Sequence, residues 1–301
     1  MVGLEMRVPD PAGPMTRMQA VKEVARILRL AEIESARLES EMLICHCTGT
    51  DRAALLAHPE TLLTPREQSL LWDLLAGRAE REPLPYLLGT QPFLDFDLVV
   101  SPAVLIPRPE TETLVECAVR LLPERSTDRA VRVVDVGTGS GAVAIGIARL
   151  RPDAIVQATD ISGAALAVAR DNAARLGAAA RVSFGLGNML QPVDVDWRRR
   201  VRLVVSNPPY IPTREIGTLQ PEVARYEPRM ALDGGPDGLD TIRELVRDAR
   251  EWLMPGGYLA FEIGMGQGAA VRDLLGQRGY DSIATDPDLA GIERVITGMW
   301  G

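Results

Sequence analysis

From Thr16 to about Leu88 the apolar residues recur at helical spacing. Val21, Val24, Ala25, Ile27 and Leu28 fall on one face, Ile33, Ala36, Leu38, Met42 and Leu43 on a second, and Leu70, Leu71, Leu74 and Leu75 on a third. Thr64-Pro65-Arg66-Glu67 supplies a capping hydroxyl and then a proline at the first helical position, where a backbone N–H has no partner to lose. The pattern predicts a small all-helical domain over 16–89, built from four or five short helices. Between Gln91 and Val104 the texture changes to Phe93, Phe96, Leu98, Val99 and Val100, and a hairpin linker is expected over 90–104. From Leu105 onward strand-like apolar runs alternate with helical ones, with strands predicted at 131–136, 154–159, 181–184, 201–206, 257–263 and 292–298. Such alternation implies an α/β domain over 105–301, with a mainly parallel sheet covered by helices on both faces. Residues 1–15 are rich in proline and are read as a disordered leader.

Composition narrows this picture. A chain of 301 residues with 46% hydrophobic residues has the material for two domains, each with its own core. The formal net charge of -8 speaks against affinity won by wrapping a phosphate backbone, so no direct nucleic-acid partner is expected. The basic run Arg198-Arg199-Arg200 reads as a solvated loop. Cys45, Cys47 and Cys117 make an odd set with no paired framework, which fits a reducing cytoplasm. No apolar stretch approaches the roughly 18 residues of a membrane span. Cys45-His46-Cys47 suggests a metal site with His58, but neighbours on a helix do not share a face, and no metal is expected.

Two motifs carry chemistry. The first is Val131-Arg132-Val133-Val134-Asp135-Val136 running into Gly137-Thr138-Gly139-Ser140-Gly141, a strand followed by a glycine-rich turn that opens a helix. Glycines let bare backbone approach a ligand, and the first turn of a helix offers unpaired N–H groups. Gly137-x-Gly139-x-x-Ala142 also satisfies the dinucleotide fingerprint, so this pattern alone does not identify the cofactor. Asp160, after the next strand, is placed to accept hydrogen bonds from the ribose hydroxyls of an adenosine.

The second motif is Asn207-Pro208-Pro209-Tyr210 at the end of the apolar run 201–206. It suits methylation of a planar, conjugated NH2 group, whose lone pair is delocalised and poorly nucleophilic. The side-chain oxygen of Asn207 and the backbone oxygen of Pro208 are candidates to accept the two N–H hydrogens, stabilising charge that builds on nitrogen. Pro208 and Pro209 restrict the backbone that aims these acceptors, and Tyr210 is expected to cover one face of the planar group. A hydride-transfer enzyme has no use for this tetrapeptide, so the glycine turn is read as a site for S-adenosylmethionine.

With these motifs in hand, the chain resembles the HemK/PrmC family of methyltransferases, which modify the glutamine of the Gly-Gly-Gln motif in class 1 peptide chain release factors. The resemblance extends from about Thr16 to Trp300. It includes Glu82-Pro83-Leu84-Pro85-Tyr86-Leu87-Leu88-Gly89, the stretch Leu105-Ile106-Pro107-Arg108-Pro109-Glu110-Thr111-Glu112, and Asp288-Leu289-Ala290-Gly291-Ile292-Glu293-Arg294-Val295. It implies a class I S-adenosylmethionine-dependent methyltransferase fold with a seven-stranded, mostly parallel, doubly wound sheet, preceded by a helical domain that docks the protein substrate. By the same resemblance Gly137, Thr138, Gly139, Ser140, Gly141, Asp160 and Asn207 would bind S-adenosylmethionine, Asn207 to Tyr210 would hold the glutamine, and N(5)-methylglutamine would be the product. Met189 falls where many members carry a residue beside the adenine and would pack there through its thioether. The 107–111 stretch has two readings, a capped helix start or a lining of the donor pocket. Cys117 reads as packing.

Other substrates share the chemistry. A nucleobase amino group is also conjugated, but such an enzyme is expected to bring basic and aromatic surface, and aromatics are only 4% of this chain. Glutamine methylation of a ribosomal protein, or a non-catalytic adaptor that retains the fold, are the further alternatives. The Arg108-to-Glu112 segment favours the release factor class.

Overall fold

The structure is a computed structural model that describes residues 13–123 and 130–301; the leader expected over 1–15 lies, through residue 12, outside them. The chain forms two compact units that part between Gly89 and Thr90, with Gln220–Tyr226 grouped with the first.

The first unit opens with α1 (Arg17–Leu30), α2 (Ala36–Thr48), α3 (Arg52–Ala57), α4 (Pro65–Ala79) and α5 (Leu84–Leu88). Both long amphipathic helices begin on reciprocal caps. Gln19 N–H donates to the Thr16 hydroxyl while Thr16 N–H donates to the Gln19 side chain, and Thr64 and Glu67 repeat the arrangement at α4. Val21, Val24 and Leu28 of α1 pack with Leu43 and Ile44 of α2 and Leu71 and Leu75 of α4 in one core. Each fully buried leucine there is worth roughly 1.5–3 kcal/mol relative to exposure. The α2 face differs from expectation: Leu38 and Met42 are 48% and 38% exposed, and Leu70 of α4 is 40% exposed. The buried stripe of α2 runs instead through Ala36, Ser40, Leu43 and Ile44, a true i, i+4, i+7, i+8 repeat. Ser40 is tolerated there because its hydroxyl donates to the Arg37 carbonyl.

The second unit starts with an antiparallel hairpin, β1 (Thr90–Phe93) and β2 (Phe96–Val99). It continues through α6 (Pro109–Leu121), β3 (Val131–Val136), α7 (Ala142–Leu150), β4 (Ala154–Asp160), α8 (Gly163–Arg175), β5 (Val182–Leu186) and β6 (Val201–Ser206). After α9 (Pro221–Tyr226), which falls within the segment grouped with the helical unit, come α10 (Asp240–Ala249), β7 (Leu253–Glu262), α11 (Gly268–Gln277), β8 (Tyr280–Pro287) and β9 (Glu293–Trp300). The strands form one seven-stranded sheet in the order β5-β4-β3-β6-β7-β9-β8, parallel except where β9 runs antiparallel to both its neighbours.

Period-two alternation splits the sheet's side chains between two cores. Val133, Val156, Leu203 and Val205 face α6, α7 and α8; Val134, Val136, Val204, Leu259 and Phe261 face α10 and α11. This is the doubly wound α/β architecture expected. Strand order reverses between β3 and β6, which pair in register with Val136 beside Ser206. The Ser206 hydroxyl donates to the Val136 carbonyl at 2.7 Å, so the carboxyl ends of the two strands are tied together where a doubly wound sheet leaves a crevice.

Two strands depart from expectation. β8 is unpredicted because it is an edge strand in which only Tyr280 is buried, so it carries no apolar run. β7 begins at Leu253 rather than 257, because pairing with β6 steps from Val201–Leu253 to Leu203–Tyr258 and leaves Met254 to Gly257 as a bulge.

Candidate functional site

The glycine turn leaves β3 at the crevice. Gly137, Gly139 and Gly141 have φ of 71°, 55° and 86°, left-handed values that disfavour any side chain with a Cβ. A methyl group built on Gly137 or Gly139 would meet nothing within 4 Å, whereas one on Gly141 would lie 2.9 Å from the Ile145 δ-methyl. The first two glycines are required by backbone shape beside open space, the third also by packing against α7 and α8.

Two carboxylates brace this turn. Asp160, at the end of β4, accepts from Gly139 N–H on Oδ2 at 2.9 Å and from Ser162 N–H on Oδ1 at 2.8 Å. Asp135 is buried and accepts on Oδ2 from the Thr138 hydroxyl at 2.6 Å and from Ala144 N–H at 3.2 Å. Its removal from water pushes its carboxyl up to about 7, against those two bonds and helped by the Asp160 charge.

A cavity of about 690 Å³ opens beside the turn, within the roughly 300–1,000 Å³ of small-molecule sites. Gly137, Thr138, Gly139, Ser140, Asp160, Met189, Asn207, Pro208 and Pro209 line it, together with Asp135, Pro107 and Thr111. Met189 sits at φ 49° with its carbonyl accepting from the Thr159 hydroxyl at 2.7 Å, which holds this buried thioether against the cavity. Gly141 and Tyr210 stand behind the lining residues. The 107–111 stretch both opens a helix and lines the cavity: Pro109 starts α6 with Glu110 and Glu112 in its first turn, though Arg108 at the N-cap position makes no side-chain capping bond, while Pro107 and Thr111 line the cavity.

The tetrapeptide leaves β6 directly opposite the glycine turn. Asn207 Nδ2 donates to the Thr111 hydroxyl oxygen at 3.1 Å, which puts its carbonyl oxygen on the other branch of the amide. Pro208 is buried. Tyr210 turns its ring toward the α10–α11 core, and its hydroxyl donates to Glu262 Oε1 at 2.9 Å. The Thr111 hydroxyl donates to Glu262 Oε2 at 2.8 Å, so Glu262, at the end of β7, ties α6 to the far end of the tetrapeptide. Burial raises the Glu262 carboxyl above the ordinary carboxylate range, opposed by these two hydroxyls and by Arg294.

A second glycine-rich loop supports the tetrapeptide from behind. A Cβ on Gly234 would stand 2.8 Å from the Pro209 carbonyl oxygen, and one on Gly238 would stand 2.3 Å from that of Tyr210. Gln267 Nε2 donates to the same Tyr210 carbonyl at 2.9 Å. The sequence points to Thr111 only as one residue of the 107–111 stretch, and does not mark Glu262, Gln267 or these two glycines as parts of the site. The usable signal was Glu262 itself, a carboxylate closing the apolar run Leu259-Ala260-Phe261.

A donor with an adenosine and a positively charged sulfur fits these residues. The left-handed glycines leave room for its approach, Asp160 supplies an acceptor at the end of β4, and two acidic residues, Asp135 and Asp160, border the cavity.

The chain is similar to known proteins over most of its length. Residues 19–89 match the family model described as the PrmC N-terminal domain, and residues 112–220 match the methyltransferase small domain. The release factor glutamine methyltransferase of Geobacter sulfurreducens is 45% identical over 269 residues, 89% of this chain and 91% of that protein. That of Moorella thermoacetica is 46% identical over 284 residues, 93% and 97% of the two chains. Among solved structures, the hMettl16 catalytic domain aligns with a TM-score of 0.53 at 14% identity, covering 76% of this chain and 82% of that one, a likeness of fold alone.

Proposed function

The chain belongs to the release factor glutamine methyltransferase family, and we propose that it transfers a methyl group from S-adenosylmethionine to the side-chain amide nitrogen of a release factor glutamine. The finer reading is that this glutamine lies in the Gly-Gly-Gln motif of class 1 release factors and that the product is N(5)-methylglutamine. The observation that carries the proposal is the convergence of the glycine turn and Asn207-Pro208-Pro209 on one cavity at the reversal of strand order.

When bound, S-adenosylmethionine supplies an electrophilic methyl on a sulfonium. The residues of the chain do the rest. Gly137 to Ser140, Asp160 and Met189 hold the donor, with Gly141 packing the turn from behind, Asp160 on the ribose hydroxyls and Met189 against the adenine. Asn207, through its side-chain oxygen, and Pro208, through its backbone oxygen, accept the two amide hydrogens of the glutamine. Those acceptors favour the form in which the nitrogen lone pair is available, and they meet the positive charge that develops on nitrogen. Acceptors fixed in advance are worth about 10²–10³ in rate for each one removed. The proton is lost after transfer, so no strong base is required. Tyr210, expected to cover one face of the planar group, stands instead behind the cavity lining with its ring on the α10–α11 core, and restrains the tetrapeptide through Glu262.

The helical unit, over 16–89, is assigned the docking of the protein substrate, and the 105–301 domain the chemistry. No helix among the described residues is long and apolar enough to cross a membrane. We place the protein in the cytoplasm, where release factors act. The test incubates the enzyme and labelled donor separately with a class 1 release factor, ribosomal proteins and nucleic acid, and locates the label by peptide mass spectrometry. Label on the Gly-Gly-Gln glutamine is expected; label confined to a ribosomal protein or a nucleobase refutes the substrate assignment.

A further inference from the structure

Four side chains form an unbroken hydrogen-bonded chain from one end of the tetrapeptide to the other: Asn207 to Thr111 at 3.1 Å, Thr111 to Glu262 at 2.8 Å, and Tyr210 to Glu262 at 2.9 Å. Thr111 and Glu262 are 3% and 1% exposed. With Glu262 ionised, the direction of every bond follows. An ionised carboxyl only accepts, so both hydroxyls must donate to it. The Thr111 hydroxyl has one hydrogen and spends it on Glu262. Its oxygen is then an acceptor only, and the branch of the Asn207 amide that faces it must be the NH2.

We propose that Thr111 and Glu262 are positioning residues for methyl transfer: the Glu262 carboxylate polarises the chain so that Thr111 holds the Asn207 NH2 and Asn207 presents its oxygen to the glutamine amide. This rests on the proposed function. Turning the Asn207 amide over would set two oxygen acceptors against each other with no hydrogen between them. The penalty of an unmade buried hydrogen bond corresponds to a preference of roughly 10- to 100-fold for the productive orientation. In the reverse orientation Asn207 would offer the substrate N–H donors where acceptors are needed.

Protonation of Glu262 removes the bias. A neutral carboxyl has a hydroxyl of its own, which donates to the Thr111 oxygen and frees the Thr111 hydrogen to meet the Asn207 oxygen. Both orientations are then satisfied. The groups that face Glu262 are Thr111 and Glu110 from α6, Tyr210 from the tetrapeptide and Arg294 from β9; burial and Glu110 raise its carboxyl, the other three lower it, and the balance stands above the ordinary range. Activity therefore falls as the pH drops through this group, at a higher pH than a solvated carboxylate would give.

Three variants test the proposal, each compared with wild type for kcat and KM on a release factor, donor affinity by calorimetry, and the side-chain amide NMR signals of Asn207. Glu262→Gln keeps the shape but mimics the neutral carboxyl. It is expected to lower kcat roughly 10- to 100-fold, with KM and donor Kd within about threefold, and to abolish the acid limb of the pH profile. The Asn207 amide signals should shift on acidification of wild type in step with that limb, and should already be shifted in Glu262→Gln. Thr111→Val should lose activity similarly and Thr111→Ser should recover most of it. Wild-type kcat in Glu262→Gln with the acid limb intact, or Thr111→Ser as slow as Thr111→Val, overturns the proposal. If Glu262→Gln does not fold, the threonine pair and the wild-type titration still decide. Failure of the functional reading is distinct: wild type would not methylate the release factor, while the Asn207 signals would still follow Glu262.

Discussion

Gly139 and Gly141 look equivalent in the sequence, and the structure separates them. Both sit in the left-handed region, at φ 55° and 86°, so an alanine at either position costs about 1–2 kcal/mol in backbone strain. At Gly141 a second cost applies: the added methyl would lie 2.9 Å from the Ile145 δ-methyl and 3.3 Å from the Ala169 Cβ. Ile145 and Ala169 are fully buried, so neither neighbour yields cheaply, and overpacking of this kind costs about 1–3 kcal/mol. Gly141→Ala should thus lose about 2–5 kcal/mol of stability. Gly139→Ala meets nothing within 4 Å and should lose only the backbone share.

Donor binding reverses the order of damage. Gly139 borders the cavity, so its new methyl occupies space the donor needs, and affinity should fall tenfold or more, equivalent to about 1.4 kcal/mol. Urea unfolding of the two variants and wild type gives the stabilities, and calorimetric titration with S-adenosylmethionine gives the affinities. Equal stability losses, or a Gly139→Ala protein that binds donor as wild type does, would refute the assignment of one glycine to packing and the other to ligand approach.

Asn207→Ala should cut the rate at least 10²-fold while donor affinity changes little, because it removes an acceptor that acts on the glutamine; normal turnover would sink the acceptor-site reasoning. Donor binding should release a proton near neutral pH: Asp135 is held up to about 7 by burial, and a cation beside it favours the ionised form. Calorimetry in buffers of differing ionisation enthalpy should find up to about one proton released at pH 6, fading by pH 9 where the carboxyl is already ionised, and none in Asp135→Asn; uptake instead of release would place the charges wrongly. The Cys117 thiol, buried and 3.3 Å from Asp286 Oδ2, is pushed up to about 12, so at pH 8 a thiol reagent should reach it only on unfolding. Labelling of Cys117 in native protein at the rate of a denatured control would contradict its burial.

Which elements could be read from the chain depended on burial on both faces. β3 and β6 are apolar over almost their whole length because helices cover them on each side, and their predicted limits, 131–136 and 201–206, match the structure. β8 has one buried residue, Tyr280, and its remaining positions carry Asp281, Ser282, Thr285 and Asp286, which read as a loop. The helical unit shows the complementary error. Apolar periodicity alone puts Leu38, Met42 and Leu70 on buried faces, whereas the packed stripe of α2 includes Ser40 and also covers Glu41, satisfied by Arg37 and Arg52 at 2.6 and 2.7 Å. Periodicity located the helices, but which polar residue shares a buried face depends on a partner elsewhere in the chain.

The same distinction separates the two halves of the site. The glycine turn and Asn207-Pro208-Pro209-Tyr210 are contiguous, so local backbone chemistry announces them. Thr111 and Glu262 are 151 residues apart, and their bond exists only because α6 packs on β7. One general feature of doubly wound sheets would nonetheless have exposed Glu262. Parallel strands deliver their carboxyl ends to the same crevice, so a polar residue that closes an apolar strand is aimed at the ligand. β3 ends with Asp135 one position from its last residue, β4 ends in Asp160, β6 runs into Asn207, and β7 ends in Glu262. The first three stand in or beside recognisable motifs. The fourth has no motif, yet it occupies the equivalent position, and it is the one whose charge sets the direction of the hydrogen bonds holding Asn207.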